Sequence, residues 1–225
     1  MTWTPELWGI VALSLKVALW ATIVALPFAV AVAWLLARKR FWGWQIVNGL
    51  VHLPLVLPPV VTGYLLLVVF GRQGAVGAWL YDLFGITLAF RWTGAALAAG
   101  IMAFPLMVRA IRLAIEAVDE GLEDAAATLG ASRWRVFRTV TVPLIAPGII
   151  AGAVLGFAKA LGEFGATITF VAAIPGQTQT IPSAIYGLLQ VPGQEGAVLA
   201  LVAVSIIFAM GALILSEWLA RRVRS

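Results

Sequence analysis

The sequence EAVDEGLEDAAATLGASRWRVFRTVTVP occupies residues 116–143 and is the longest polar stretch of the chain. Acidic residues crowd its first half and arginines its second half, whereas long apolar segments precede and follow it. Of the 225 residues, 62% are hydrophobic and only 11% are charged, which is too few charges for the surface of a soluble domain. We therefore expect most of the chain to lie in lipid and residues 116–143 to lie outside the membrane.

Within this polar stretch the pattern predicts two short helices joined by a tight turn. Asp119 is expected to N-cap the first helix, because its carboxylate can accept the free amide N–H groups of the first turn. Apolar side chains then recur at helical spacing, at Leu122, Ala125, Ala126 and Leu129. Gly130 suits the turn, where a positive φ costs glycine little, and Ser132 can cap the second helix. We call this predicted unit the knob.

The apolar segments predict an all-α, polytopic membrane protein with about five transmembrane helices and a single domain over residues 1–225. The predicted spans are residues 7–37, 46–70, 93–111, 144–173 and 197–219. Pro54, Pro58 and Pro59 should break the second span near its middle. Residues 172–196 are rich in proline, glycine and glutamine, so we expect them to lie outside the membrane.

The first predicted span is longer than the roughly 20 residues that one crossing needs. It should therefore tilt or begin in the outer interface, with Lys16 reaching outward. Splitting this run, or counting a re-entrant piece, would give six crossings instead of five. The distribution of basic residues favours five.

Basic residues are far more frequent on one side of the predicted topology than on the other. The knob side holds 11 of them, namely Arg38, Lys39, Arg40, Arg109, Arg112, Arg133, Arg135, Arg138, Arg221, Arg222 and Arg224. The opposite side holds 2, Arg72 and Arg91. Because basic loops are retained in the cytoplasm, the knob and the C-terminus are expected inside and the N-terminus outside.

Several kinds of site are missing from the sequence. The chain has no cysteine and one histidine, His52, so it offers neither a thiolate nucleophile nor a Cys/His metal site. It also lacks the G-x-x-x-x-G-K-[ST] pattern of a phosphate-binding loop. We therefore expect no catalytic residue, no metal and no cofactor, and any ATP hydrolysis must belong to a separate subunit.

The spacing in the knob resembles the signature of the permease subunits of ABC importers, E-A-A, three residues, G, nine residues, I-x-L-P. Here Asp124-Ala125-Ala126 and Gly130 are separated by three residues, and VTVP at residues 140–143 follows after nine more. Asp replaces Glu, and Val replaces Ile and Leu. The resemblance implies that residues 116–143 are a cytoplasmic loop that couples the spans to an ATPase subunit. The implied coupling residues are Glu123, Asp124, Ala125, Ala126, Leu129, Gly130, Val140 and Pro143.

Residues 102–196 resemble the molybdate branch of these permeases more closely than the family at large. The runs FPLMVRAIRLAIEAVD, LEDAAATLGASRWRVF, GEFGATITF and IPGQTQTIPSAIYGLLQ carry this resemblance. It implies a bacterial inner-membrane importer for molybdate or tungstate. Its parts would be two permease copies that form one pore, two ATPase copies and a periplasmic oxyanion-binding protein. Sulfate and thiosulfate permeases are the nearest relatives and remain the alternative.

Two charges and a hydroxyl-rich run in the fourth predicted span are candidates for the pore or its gate. Lys159 and Glu163 lie four residues apart at hydrocarbon depth, so they either line the pathway or neutralise each other. Residues 162–170 add Phe164, Thr167 and Thr169, which either pack against a neighbouring helix or line a narrow pore.

Two other classes of protein were weighed against an importer subunit. A membrane-embedded enzyme would use Glu163 and His52, but these residues lie in different predicted spans and no motif supports them. A passive channel would not explain why the chain has the knob.

Overall fold

The computed structural model describes residues 4–224, except for the side chains of Glu120 and of residues 220–224. Within these residues the chain is helical, with short connections and no β-strand. This confirms the predicted all-α class. The side chains of Arg221, Arg222 and Arg224, which were counted with the basic residues of the knob side, lie outside the described part.

In chain order the helices are α1 (Pro5–Arg38), α2 (Trp44–Val56), α3 (Pro59–Phe70), α4 (Ala75–Phe84), α5 (Trp92–Glu116), α6 (Glu120–Thr128), α7 (Arg133–Val136), a π turn (Phe137–Thr141), α8 (Val142–Leu161), α9 (Gly165–Val171), α10 (Ile181–Leu188) and α11 (Glu195–Arg224).

Four helical segments among the described residues are long and apolar enough to cross a membrane. They are Pro5–Arg38, Trp92–Glu116, Arg133–Leu161 and Glu195–Leu219. Together α2 and α3 are also long enough, but they meet at a bend of 115°. Pro58 and Pro59 lie at this bend and lack the N–H groups that would continue α2. The predicted break is confirmed at Pro58 and Pro59, whereas Pro54 was wrongly included, because it lies inside α2 without interrupting it. The bent pair brings the count of possible crossings to as many as five.

The core forms where α5 packs between α1 and α8. Close approach is possible because small residues line both contacts. On α5, Ala95, Ala98, Ala99 and Ala103 are fully buried. On α8, Gly148, Gly152 and Gly156 recur every fourth residue and face α5. A Cβ atom at Gly156 would lie 2.7 Å from Met107 Cγ, which is typical of the small-residue seams that join membrane helices.

The two ends of the helix bundle are marked by side-chain contacts of α1. At its C-terminal end, Arg38 Nη2 lies 3.2 Å from Glu123 Oε1 in α6. Nearer its start, Ser14 Oγ accepts a hydrogen bond of 2.7 Å from the Ile181 amide of α10. We call the first the knob end and the second the far end.

The predicted fourth span, residues 144–173, was wrong as a single helix. It begins earlier, because α7, the π turn and α8 run on continuously from Arg133 to Leu161. The second helix of the predicted knob is therefore the start of this span. The span is also broken, since α8 ends at Leu161 and a separate helix, α9, starts at Gly165.

Residues 172–196, which are expected to lie outside the membrane, contain a short helix that the sequence analysis did not predict. Ile181–Leu188 is a helix, α10, with Ile181, Ser183 and Ala184 buried. Its apolar residues join a second core with Leu7 and Leu201, at the far end. The glutamines and prolines that flank α10 made the whole segment look polar, although its middle carries the pattern of a half-buried helix.

Candidate functional site

The helix termini of the knob are capped as the sequence predicts. Asp119 Oδ1 accepts a hydrogen bond of 2.9 Å from the Gly121 amide at the start of α6. Ser132 Oγ accepts one of 3.4 Å from the Arg135 amide at the start of α7. Both residues satisfy an amide that has no partner within its own helix, which fixes where the two helices begin.

Gly130 makes the turn between these helices, with φ of +86°. Its amide donates to the Ala127 carbonyl (3.0 Å), and the Ala131 amide donates to the Ala126 carbonyl (3.2 Å). This pair of bonds is the Schellman motif, which needs a left-handed residue at this position. The predicted role of Gly130 in the turn is confirmed.

The knob presents large apolar side chains to solvent. Leu129 is 89% exposed and Trp134 is 68% exposed, and Leu122 is half exposed. Ala125 is exposed beside them and Ala126 is partly buried. Exposed apolar side chains of this size on an otherwise polar loop favour contact with another molecule. We call Leu122, Ala125, Leu129 and Trp134 the knob patch. Trp134 was not among the predicted coupling residues, although a tryptophan beside arginines in a polar loop was a visible signal.

Neighbouring acidic residues of α6 have different surroundings. Asp124 is exposed to solvent. Glu123 is largely covered and accepts two hydrogen bonds, from Arg38 Nη2 (3.2 Å) and from Thr141 Oγ1 (2.7 Å). Glu123 therefore joins α6 to the end of α1 and to the π turn before α8. We call these three side chains the latch.

Val140 and Pro143 lie where the π turn passes into α8. Pro143 has no N–H, so it cannot donate to the Thr139 carbonyl as an α-helix would require. The chain widens instead, and the Val142 amide bonds to the Phe137 carbonyl, five residues back. Such π turns are rare in proteins, and those that do occur are often at functional sites. Val140 is partly buried and Pro143 is exposed.

Lys159 and Glu163 meet at the break between α8 and α9. Lys159 Nζ lies 2.6 Å from Glu163 Oε2, and the other carboxylate oxygen accepts a hydrogen bond of 3.0 Å from the Ala166 amide. Glu163 is only 2% exposed. One carboxylate thus neutralises a cation and caps α9, which explains why the helix is interrupted here.

Thr167 and Thr169 use their hydroxyl groups within their own helix. Thr167 Oγ1 donates to the Phe164 carbonyl (2.9 Å) and Thr169 Oγ1 donates to the Gly165 carbonyl (2.8 Å). Helix α9 packs closely against α3, where a Cβ atom on Gly63 would lie 2.8 Å from Thr169 Cβ. The small residues of this run therefore serve helix packing, and lining of a pore stays a prediction.

An aromatic pair links the broken span formed by α8 and α9 to α10. The ring centres of Phe164 and Tyr186 lie 5.1 Å apart, and Tyr186 is exposed on its other side. Tyr186 was missed from the sequence, because α10 itself was not predicted. The pair joins the candidate residue Phe164 to the far-end helix.

The turn between α9 and α10 holds a strained residue. Ala172 has φ of +59° and ψ of −174°, a conformation that glycine adopts and other residues rarely do. Buried Thr178 holds this turn, because its Oγ1 donates towards the Val171 and Ala172 carbonyls and accepts from the Ile174 amide at 2.9 Å. The Thr178 hydroxyl therefore stabilises the strained turn that follows α9.

The two residues considered for an enzyme site, His52 and Glu163, each bond to groups three or four residues away. His52 Nδ1 lies 2.8 Å from the Asn48 carbonyl of its own helix. Among the described residues there is no group of three or more His, Cys, Asp or Glu side chains that could hold a metal ion.

Comparison with known proteins gives one family over most of the chain. Residues 25–225 match the family described as binding-protein-dependent transport system inner membrane component. The molybdenum transport system permease protein ModB of Escherichia coli (strain K12) is 62% identical over 217 residues, which is 96% of this chain and 94% of that protein. The corresponding protein of Haemophilus influenzae is 57% identical over 212 residues, covering 94% and 93%.

A solved structure shows the same fold. A chain of a bacterial ABC transporter involved in the import of the acidic polysaccharide alginate superposes with a TM-score of 0.72. The match covers 99% of this chain and 82% of the other, at 19% sequence identity. The helical arrangement is therefore the one found in that chain of the ABC transporter.

Proposed function

Because the chain belongs to the family of binding-protein-dependent transport system inner membrane components, we propose that it is the permease subunit of an ATP-driven importer for molybdate or tungstate. The observation that carries this proposal is the near full-length identity to molybdenum transport permeases. It favours molybdate over sulfate, and transport over an enzyme built on Glu163 and His52.

Residues 116–143 are the coupling loop of this subunit in our proposal. The knob patch is the part that enters a cleft on a separate cytoplasmic ATPase in this proposal. Large apolar side chains exposed on an otherwise polar loop favour contact with a partner. Glu123, Asp124, Ala125, Ala126, Leu129, Gly130, Val140 and Pro143 were predicted to act there. Among these residues Leu129 and Asp124 face outward, whereas Glu123 faces inward towards Arg38.

The latch gives the ATPase a mechanical path into the spans. Movement of α6 is passed by Glu123 to Arg38 at the end of α1 and to Thr141 before α8. These helices both pack on α5, the centre of the core. A single carboxylate with two partners can therefore move both flanks of the core together.

If the latch transmits movement, a change in it should impair transport without weakening attachment of the ATPase. Thr141→Val keeps the shape of a buried side chain but removes the 2.7 Å bond to Glu123. We expect the ATPase subunit to co-purify at the unchanged level, while substrate-stimulated ATP hydrolysis falls several-fold. Thr139→Val is the control, since it makes the same change at an exposed position whose hydroxyl donates to the Arg135 carbonyl, outside the latch. Equal loss in both variants would contradict the latch.

Two copies of the chain form the pore in our proposal, and a periplasmic binding protein delivers the oxyanion. The broken span supplies candidates for the pore or gate, namely Lys159, Glu163, Phe164, Thr167 and Thr169. Of these, Lys159, Phe164 and Thr169 are partly exposed in the single chain, whereas Glu163 and Thr167 are buried. A partner copy therefore meets the first three more readily than the other two.

The knob end faces the cytoplasm in the proposed orientation, with the N-terminus outside. Ser132 at the knob and Gln177 at the far end are both exposed, and the chain has no native cysteine. We expect Ser132→Cys to react with a membrane-impermeant thiol reagent only from the cytoplasmic side and Gln177→Cys only from outside. Labelling of both from one side would refute the odd number of crossings.

Isolation of the membrane complex tests the proposed function. A nucleotide-binding subunit should co-purify with the tagged permease in a ratio of one to one, and the complex should contain two copies of each. A chain that purifies alone, with substrate turnover in lipid, would instead support an enzyme.

A further inference from the structure

An apolar groove runs between α1 and α5 in the far-end half of the bundle. It has a volume of about 530 Å³ and opens to the outer surface of the bundle. Its walls include Trp20, Val24 and Phe28 from α1 and Trp92, Ala96 and Phe104 from α5. No charged side chain lines it within the described residues. Such a groove suits a flexible hydrocarbon chain.

A cation lies at one end of this groove. Lys16 is exposed, and its Nζ lies 3.8 Å from the ring centre of Trp92, which lines the groove. The neighbouring Arg91 is also exposed. Tryptophan and basic residues together are typical of the level of lipid headgroups. The groove therefore has a positive mouth and a hydrocarbon-like interior.

The position of Lys16 along α1 agrees with this level. The 22 residues from Lys16 to Arg38 rise about 33 Å in a helix, close to the ~30 Å thickness of the hydrocarbon core. With Arg38 at one interface, Lys16 thus reaches the other. The groove extends inward from Trp92 to Phe104, which is about 18 Å of helix and comparable to one acyl chain.

We propose that this groove binds an anionic phospholipid of the far-end leaflet. The phosphate pairs with Lys16, and one acyl chain lies between α1 and α5 against Val24 and Ala96. The positive charge of Lys16 at the mouth selects an anionic over a zwitterionic headgroup, and the apolar walls hold the acyl chain. This site is separate from the knob and from the broken span, and it does not depend on the proposed transport activity.

Native mass spectrometry of the full-length chain tests the site. The protein is exchanged into micelles with equal amounts of phosphatidylglycerol and phosphatidylcholine that carry the same acyl chains. We expect wild type to retain phosphatidylglycerol in preference, and Lys16→Gln to lower that preference about five-fold. Arg72→Gln is the matched control, since Arg72 lies over Tyr81 in the same kind of cation–π contact (4.5 Å) away from this groove.

A second variant tests the interior of the groove. Ala96→Leu fills it and should reduce retention of both lipids while Lys16 is unchanged. No preference in wild type, or equal effects of Lys16→Gln and Arg72→Gln, would overturn the proposal. A change of oligomeric state in Ala96→Leu would also overturn it, because the groove would then be covered by a second copy of the chain.

Discussion

The variant Leu129→Glu is expected to insert into the membrane normally and to lose its ATPase subunit. Leu129 is 89% exposed, so its replacement removes almost no contact within the chain. In the complex the new carboxylate would be desolvated against the cleft of the ATPase. Truncation or charging of a central contact residue costs roughly 2 kcal/mol or more, which is a loss of about 30-fold in affinity.

Co-purification of the ATPase with each tagged variant, together with oxyanion uptake, measures this effect. Gly130→Val should behave similarly, since a β-branched residue at φ of +86° strains the turn that orients Leu129. Ala126→Glu should do so by placing a charge in the contact. Trp42→Glu is the control, because Trp42 is also highly exposed at the knob end but lies outside the knob. Wild-type attachment in all three knob variants would mean that the knob patch does not bind the ATPase.

The second large effect is expected at the break between α8 and α9. Lys159→Met leaves the Glu163 carboxylate buried without its cation, and breaking such a pair costs about 3–5 kcal/mol in free energy of unfolding. Adding Glu163→Gln should recover most of that loss. The glutamine oxygen can still accept the Ala166 hydrogen bond, and no uncompensated charge remains buried.

Unfolding of the single and double variants in mixed micelles measures the coupling between the two side chains. If the double variant is stable but transports nothing, Lys159 and Glu163 belong to the transport pathway. If it is stable and active, the pair only stabilises the fold. Equal destabilisation by the single and the double change would refute the ion pair. Ser205→Ala, which removes a hydroxyl bonded only to the Leu201 carbonyl of its own helix, serves as the control for a small change in a span.

Features that rest on neighbouring residues were predictable from the sequence. Asp119, Gly130 and Ser132 each satisfy groups within a few residues, so their residue types alone indicate the caps and the turn. The spans follow from long apolar runs for the same reason. Pro58 and Pro59 predict the bend of the second span, although not its angle of 115°.

Features that rest on distant residues were not predictable. The latch joins Arg38 to Glu123 across 85 residues of sequence, and nothing in either local pattern indicates the other. The docking of α10 on α1 is similar, because the Ile181 amide donates to Ser14 Oγ across 167 residues of sequence. The interruption at Glu163 was hidden by an apolar run that reads as one span.

ATP-dependent uptake of labelled molybdate into proteoliposomes tests the central proposal most directly. The vesicles contain this permease, its ATPase subunit and the oxyanion-binding protein. We expect uptake that requires ATP and the binding protein, that unlabelled tungstate inhibits and sulfate does not, and that Leu129→Glu abolishes. Uptake that persists without ATP, or uptake of sulfate in preference to molybdate, would contradict the proposal.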